Sequence, residues 1–106
     1  EEIVFALAEK TAELLAVKGN LARQEVVCYA DYVGPGYSLP TDSMVEAVKL
    51  FAGEEAILLD PVYSGKAAAG LIDLVRKGAF PEGSNVLFLH TGGSPALYQY
   101  LDTFRA

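Results

Sequence analysis

The sequence predicts an α/β fold, in which a parallel sheet is covered by helices on both faces. Short apolar runs alternate with longer segments of helical periodicity along the 106 residues. The runs are apolar at consecutive positions, as in strands buried on both faces, and glycine or proline separates each run from the helix that follows. Because right-handed helical crossovers connect parallel strands, this order predicts one α/β segment over residues 1–106.

Four segments are predicted to be helical because their apolar residues or their caps follow helix rules. They are residues 3–15, 43–53, 66–77 and a last helix from residue 94. Ser43 and Glu46 have the spacing of a capping box, and Ser94 with Pro95 suits the start of the last helix. The expected ends are Gly19-Asn20, Gly53 and Gly78.

Three short apolar segments are predicted to be strands. They are residues 25–30, 56–59 and 85–90. In open parallel sheets, ligands bind beyond the carboxyl ends of the strands. The segments that follow these strands, residues 34–37, 61–65 and 90–93, are therefore expected to share one ligand-binding rim.

The composition argues against several classes of function. With 14 acidic and 8 basic residues the formal charge is −6, so the chain has no basic surface of the kind that binds nucleic acid. Its apolar runs are far shorter than the roughly 20 residues that span a bilayer, so no membrane contact is expected. Cys28 and His90 are single residues of their types, which leaves no disulfide and no closed zinc site. We expect no metal and a reducing, cytoplasmic setting.

The three loops at the predicted rim carry the residues suited to chemistry. In residues 31–37, two glycines and a proline suit a loop that holds the Tyr37 hydroxyl at a defined point, or a plain turn with packed tyrosines. Tyr63 and Ser64 precede a helix whose free amides favour an anion, although an ordinary serine cap has the same pattern. Lys66 could bind an anion too, but a lysine in the first helical turn is usually solvated. His90, before a Gly-Gly pair, is more typical of a structural histidine than of a catalytic base.

Four ordered motifs resemble one enzyme family. They are Tyr-Val-Gly-Pro-Gly-Tyr at 32–37, Glu-Ala-Val-Lys-Leu at 46–50, Leu-Leu-Asp-Pro-Val-Tyr-Ser-Gly-Lys at 58–66 and Leu-Phe-Leu-His-Thr-Gly-Gly at 87–93. The chain resembles the C-terminal part of the D-cysteine desulfhydrase and 1-aminocyclopropane-1-carboxylate deaminase family. These are fold-type II pyridoxal-phosphate enzymes, whose large domain is similar to the tryptophan synthase β subunit.

The resemblance implies roles for five residues. Tyr37 and Tyr63 match the two active-site tyrosines of the family, and Thr91, Ser64 and Gly92 fall on the side of the pyridoxal phosphate. Thr91 matches a threonine whose hydroxyl lies near the pyridine nitrogen in the desulfhydrases. The deaminases have Glu at the position of Ser64, where a carboxylate keeps a proton on the ring. A hydroxyl cannot do so, which favours the desulfhydrases.

The resemblance therefore implies a lyase that converts D-cysteine to pyruvate, sulfide and ammonia. The alternatives are 1-aminocyclopropane-1-carboxylate deaminase activity and a binding or assembly module without catalysis. The family's Schiff-base lysine and phosphate loop lie N-terminal to the region matched, so we expect the chain to be inactive alone. The resemblance also implies that the full-length enzyme is a homodimer. A chain taken from a larger sheet is also expected to self-associate. Ser38 departs from the glycine that commonly follows the loop tyrosine.

Overall fold

The computed structural model describes residues 1–17 and 21–105, which belong to two compact units. Residues 1–30 form the first unit and residues 31–106 the second. The stop predicted at Gly19-Asn20 lies outside the described residues. The organisation of residues 1–106 as one α/β segment stays a prediction.

The first unit contains α1, Glu2–Leu14, which confirms the first predicted helix. None of its residues is buried, and Ile3 is 86% exposed. Polar contacts hold the unit together, because Arg23 Nε donates to Glu2 Oε1 at 2.7 Å and the amide of Cys28 donates to Glu1 Oε1 at 3.2 Å. The apolar face predicted for α1 is therefore present but uncovered within this unit.

The second unit is built on two helices, α2 (Asp42–Glu55) and α3 (Ser64–Arg76). A short helix, α4 (Leu101–Phe104), follows near the C-terminus. One 3-10 helix, Arg23–Glu25, lies in the first unit, and two more cover Ala30–Tyr32 and Ser94–Tyr100. The predicted second and third helices are confirmed, and the last begins as a 3-10 helix.

The ends of α2 differ from the prediction. Its cap is Thr41, whose Oγ1 accepts from the Met44 amide at 3.2 Å, and not Ser43. The helix also continues through Gly53 to Glu55, where Ala56 adopts a left-handed φ of 56°. A single glycine costs a helix only about 1 kcal/mol, so packing of the neighbouring turns is enough to carry the helix past it.

The core lies where α2 packs on α3. Its buried apolar residues are Met44, Ala47, Val48, Leu59, Ala68 and Ala69. Small residues permit the close approach, because a Cβ on Gly65 would lie 2.8 Å from Val48 Cγ2. The helix pair is thus closely packed although the core contains few large side chains.

The predicted parallel sheet is not formed within the described part of the chain. Residues 25–30 begin in a 3-10 turn, and residues 56–59 and 85–90 run without strand pairing in residues 1–17 and 21–105. A strand exists only when a neighbour satisfies its amides and carbonyls, and these segments find none in the described residues. Several of their side chains are open to solvent, with Leu58 56% and Leu87 92% exposed, whereas Leu59 is buried in the core.

Candidate active site

Two tyrosines meet at the surface of the second unit. Tyr63 Oη donates to Tyr37 Oη at 3.0 Å, and the ring centroids are 5.9 Å apart with the planes tilted by 57°. The hydrogen bond to Tyr37 raises the pKa of the Tyr63 phenol, and burial of the hydroxyl adds to the effect. Both rings are largely exposed, so the pair presents hydroxyls to solvent. The structure thus brings together the two tyrosines that the sequence singled out.

Lys66 holds the loop that carries Tyr37, residues 31–41, which we call the tyrosine loop. The side chain is buried, with 8% exposed, and its Nζ donates to Val33 O at 2.6 Å and to Gly36 O at 3.0 Å. The expectation of a solvated lysine is therefore wrong. Sequence reasoning missed this role, because the carbonyls that Lys66 binds lie about 30 residues away along the chain.

Two phenols support the tyrosine loop from its ends. Tyr32 Oη donates to Asp73 Oδ2 on α3 at 2.5 Å, and Tyr100 Oη donates to Ser38 O at 2.9 Å. Ser38 has a φ of 61°, in the left-handed region that glycine adopts without strain. Serine therefore holds a backbone conformation here that glycine would adopt at lower cost.

Asp60 organises the turn that carries Tyr63, residues 60–64, which we call the Asp60 turn. Its Oδ1 accepts from the amides of Val62 and Tyr63 at 2.8 and 2.7 Å, and its Oδ2 accepts from the amide and hydroxyl of Ser64 at 2.7 and 2.5 Å. Burial by itself raises the pKa of the Asp60 carboxyl, but the hydrogen bonds from Ser64 and the turn amides outweigh it and lower the pKa. Asp60 is thus an ionised, buried acceptor for the turn that leads into α3, whose N-cap residue is Tyr63.

The Asp60 turn changes the expectation of an anion at the start of α3. The amides predicted to be free already donate to the Asp60 carboxylate, and the Gly65 amide donates to Asp60 O at 2.8 Å. Ser64 is buried, and its hydroxyl also accepts from the Asp60 amide at 2.8 Å. The contact between Ser64 and a cofactor stays a prediction, while its observed partner is Asp60.

The loop of residues 90–93, which we call the glycine loop, lies against the Asp60 turn. The Gly92 amide donates to His90 Nδ1 at 2.9 Å, which leaves the proton on Nε2, 3.1 Å from Leu58 O. Gly93 has a φ of 88°, and a Cβ there would lie 3.0 Å from Asp60 Cβ. His90 is therefore a hydrogen-bonded structural residue, and it joins residue 58 to the loop that contains the exposed Thr91.

Comparison with known proteins identifies the family. A family model described as "Pyridoxal-phosphate dependent enzyme" matches residues 1–92. The chain belongs to this family. The predicted family resemblance and its cofactor are confirmed at this level.

Curated relatives cover almost the whole chain. A 1-aminocyclopropane-1-carboxylate deaminase of Rhizobium rhizogenes is 47% identical over 102 residues, which are 96% of this chain and 30% of that protein. The deaminases of Ralstonia pickettii and Burkholderia vietnamiensis are 47% and 46% identical, over 96% and 98% of this chain. The chain therefore spans about 30% of the length of these relatives.

The described residues fit one side of a pyridoxal-phosphate site. The paired phenols of Tyr37 and Tyr63 offer donors and acceptors for a substrate, and the left-handed glycine loop leaves Thr91 open to a ring. Lys66, however, is committed to the tyrosine loop, so it does not present its amine for a covalent link to the cofactor. No group of three metal-ligating side chains occurs in residues 1–17 and 21–105. Within the same residues, every helix is too short or too polar to cross a membrane.

Proposed function

We propose that this chain supplies the tyrosine side of the active site in a pyridoxal-phosphate enzyme that eliminates sulfide from D-cysteine. The observation that carries the proposal is the hydrogen bond between the hydroxyls of Tyr63 and Tyr37. By the family resemblance, Thr91 matches a threonine of the desulfhydrases and Ser64 stands where the deaminases have Glu, and both support this substrate.

The direction of the hydrogen bond assigns different tasks to the phenols. Tyr63 uses its proton to donate to Tyr37, and its raised pKa keeps that proton in place. Tyr37 accepts this bond, so its own proton remains available for a substrate atom. A hydroxyl that already accepts a hydrogen bond is a stronger donor, because bonds in a chain polarise one another.

The proposed reaction needs a proton at the sulfur. Bound pyridoxal phosphate supplies the electron sink that lets the Cα–H bond of an amino acid break. The Cα proton passes to a base in the remainder of the full-length protein, the Cβ–S bond breaks as sulfur takes the bonding electrons, and the Tyr37 phenol gives a proton to the departing sulfur. Addition of one water to the three-carbon product releases ammonia and pyruvate, so D-cysteine and water become pyruvate, hydrogen sulfide and ammonia.

The position of Ser64 also bears on the choice of substrate. Its Oγ lies 2.5 Å from the buried carboxylate of Asp60, and the residue is 3% exposed. A glutamate at position 64 would bring a second carboxylate next to that of Asp60, unless the glutamate side chain turned toward Tyr37 and Tyr63. This local structure suits serine, and serine supports the desulfhydrase.

A deaminase acting on 1-aminocyclopropane-1-carboxylate is the second candidate. The names of the curated relatives, at 46–47% identity over nearly the whole chain, favour it. The same phenol pair would then protonate carbon during ring opening, and water would release ammonia and α-ketobutyrate.

The exposed apolar segments support a further part of the proposal. In the full-length protein, residues 56–59 and 85–90 would pair as strands of a parallel sheet with segments from the remainder of that protein. Leu87 and Leu89, at 92% and 78% exposed, would be covered in that sheet. We also propose a homodimer and no activity for the chain alone.

The test compares substrates on the full-length protein loaded with pyridoxal phosphate. We expect pyruvate and sulfide from D-cysteine, and a loss of kcat of about 100-fold or more in a Tyr37→Phe variant, since general acid catalysis contributes about 10²–10⁴. α-Ketobutyrate from 1-aminocyclopropane-1-carboxylate, with no sulfide from D-cysteine, would establish the second candidate instead. Neither product from the loaded protein would indicate a binding or assembly module.

A further inference from the structure

Lys66 is a buried cation whose partners are all backbone. Its ammonium donates to the carbonyls of Val33 and Gly36, and no carboxylate lies within 4.0 Å of it in the described part of the chain. Removing an ammonium from water is costly unless hydrogen bonds replace its hydration. A lysine in the first turn of a helix usually lies in solvent. This one is instead directed into the tyrosine loop.

The bonds of Lys66 join the elements that carry the two tyrosines. Lys66 lies in the first turn of α3, three residues after Tyr63. The carbonyl of Gly36, which it binds, belongs to the peptide that leads directly into Tyr37. One side chain therefore connects the backbone near Tyr63 directly to the backbone at Tyr37.

The tyrosine loop leaves little room for another arrangement near this contact. A Cβ on Gly34 would lie 2.4 Å from Thr41 Cγ2 and 4.0 Å from Lys66 Nζ. Gly34 thus lies close against Thr41 at the C-terminal end of the loop, and the ammonium lies beside it. Loss of the ammonium would leave the carbonyls of Val33 and Gly36 without their observed donor, and the loop would have to rearrange to reach water.

We infer that Lys66 is a positioning residue, which holds the Tyr37 hydroxyl at hydrogen-bond distance from Tyr63 by fixing the peptides on the N-terminal side of Tyr37. This inference rests on the proposed function of the tyrosine pair. Lys66 acts through the loop and touches neither substrate nor cofactor. Its removal uncouples the phenols while the packing of α2 on α3 stays in place.

The test uses the full-length protein with the isosteric Lys66→Met substitution. Tyrosine labelled with ¹³C at Cζ reports the ionisation of Tyr63 by NMR, and a Tyr63→Phe variant assigns its signal. In the unmodified protein the pKa of Tyr63 is raised above its ordinary value of 10.0, because it donates to Tyr37. In Lys66→Met we expect this pKa to fall toward 10.0. An exposed lysine of α1 provides the matched control, Lys10→Met, which should leave the titration unchanged.

A double-mutant cycle separates positioning from general stabilisation. Tyr37→Phe by itself should lower the pKa of Tyr63 toward its ordinary value, and adding Lys66→Met should then change that pKa no further. In the loaded enzyme, Lys66→Met should lower kcat about 10- to 100-fold with a smaller change in KM, since a misplacement of about 1 Å can cost 10²-fold. If circular dichroism shows that Lys66→Met does not fold, Lys66→Arg serves in its place. Because arginine keeps the charge, we expect a smaller fall in the pKa of Tyr63.

The outcomes are distinct. A Tyr63 pKa that stays raised in a folded Lys66 variant overturns the inference, as does an equal fall in the Tyr37→Phe background. An inactive wild-type protein would refute the proposed function but not the inference about Lys66. The tyrosine titration would still show whether Lys66 positions the pair.

Discussion

Replacing Asp60 with asparagine should destabilise the protein more than any other change of one atom in the Asp60 turn. The carboxylate is buried and accepts four hydrogen bonds, from the amides of Val62, Tyr63 and Ser64 and from the Ser64 hydroxyl. An asparagine side chain has one carbonyl oxygen and one amide NH2 group, so it can keep the bonds on the Oδ1 side only. On the Oδ2 side, the NH2 group would face the backbone amide of Ser64, donor against donor.

The magnitude follows from these bonds. A buried amide left without an acceptor costs about 1–3 kcal/mol. The remaining bonds lose the charge assistance of a carboxylate at a helix N-terminus, which contributes about 1 kcal/mol. Asp60→Asn should therefore lower the free energy of unfolding by about 2–4 kcal/mol. Ser64→Ala, which removes only the hydroxyl bonds, should cost about 1–2 kcal/mol.

Urea unfolding of the full-length protein, followed by circular dichroism, measures this difference. The control is Asp102→Asn, because the Asp102 side chain is 98% exposed and its replacement should change stability by less than about 0.5 kcal/mol. The pH dependence provides a second measurement. Because folding lowers the pKa of Asp60, its stabilising effect is present above the ordinary value of 3.8 and is lost as pH falls through the lower folded-state pKa. The wild type should therefore lose part of its advantage over Asp60→Asn below about pH 3.8. An Asp60→Asn protein as stable as the Asp102→Asn control would refute this account of the turn.

Three more predictions concern the tyrosine loop and α2. Tyr37→Phe removes the acceptor of Tyr63, so the pKa of Tyr63, which is raised in the wild type, should fall toward 10.0 in a ¹³C NMR titration. The wild type should lose stability to urea as pH rises above 10 through this raised pKa, and the variant should lack that loss. An unchanged titration would contradict the observed bond. Ser38→Gly should stabilise the protein by about 0.5–1 kcal/mol in urea unfolding, because glycine adopts the left-handed φ of 61° without strain, and a loss of stability would show that the serine side chain contributes more than the strain costs. Thr41→Ala should cost about 1 kcal/mol in the same assay through loss of the cap on the Met44 amide, whereas Thr41→Ser, which keeps the oxygen, should cost less than half of this.

The helices were predictable because their signal is local. Apolar spacing placed α1, α2 and α3 to within a few residues, since a helix satisfies its own backbone and needs only one covered face. The strands were not predictable in the same sense. Apolar runs at 56–59 and 85–90 predict segments that are covered on both faces, but pairing depends on a neighbour, and the described residues offer none.

The candidate site divides in the same way. Its motifs single out Tyr37 and Tyr63, and a hydrogen bond joins the two hydroxyls in the folded chain. The same motifs contain Ser64 and Lys66, yet their partners were not predictable. The hydroxyl of Ser64 is bound by Asp60, and the ammonium of Lys66 is bound by the tyrosine loop.

Residue type and spacing along the chain were sufficient to predict the helical segments, the three loops and the family. What holds the loops in place depends instead on contacts made in the folded chain. Lys66 bonds Val33 across 33 residues, Tyr32 bonds Asp73 across 41 and Tyr100 bonds Ser38 across 62. The identity of a lysine or a tyrosine does not predict its partner, since a hydrogen bond depends on a distance of about 3 Å in space and not on separation along the chain.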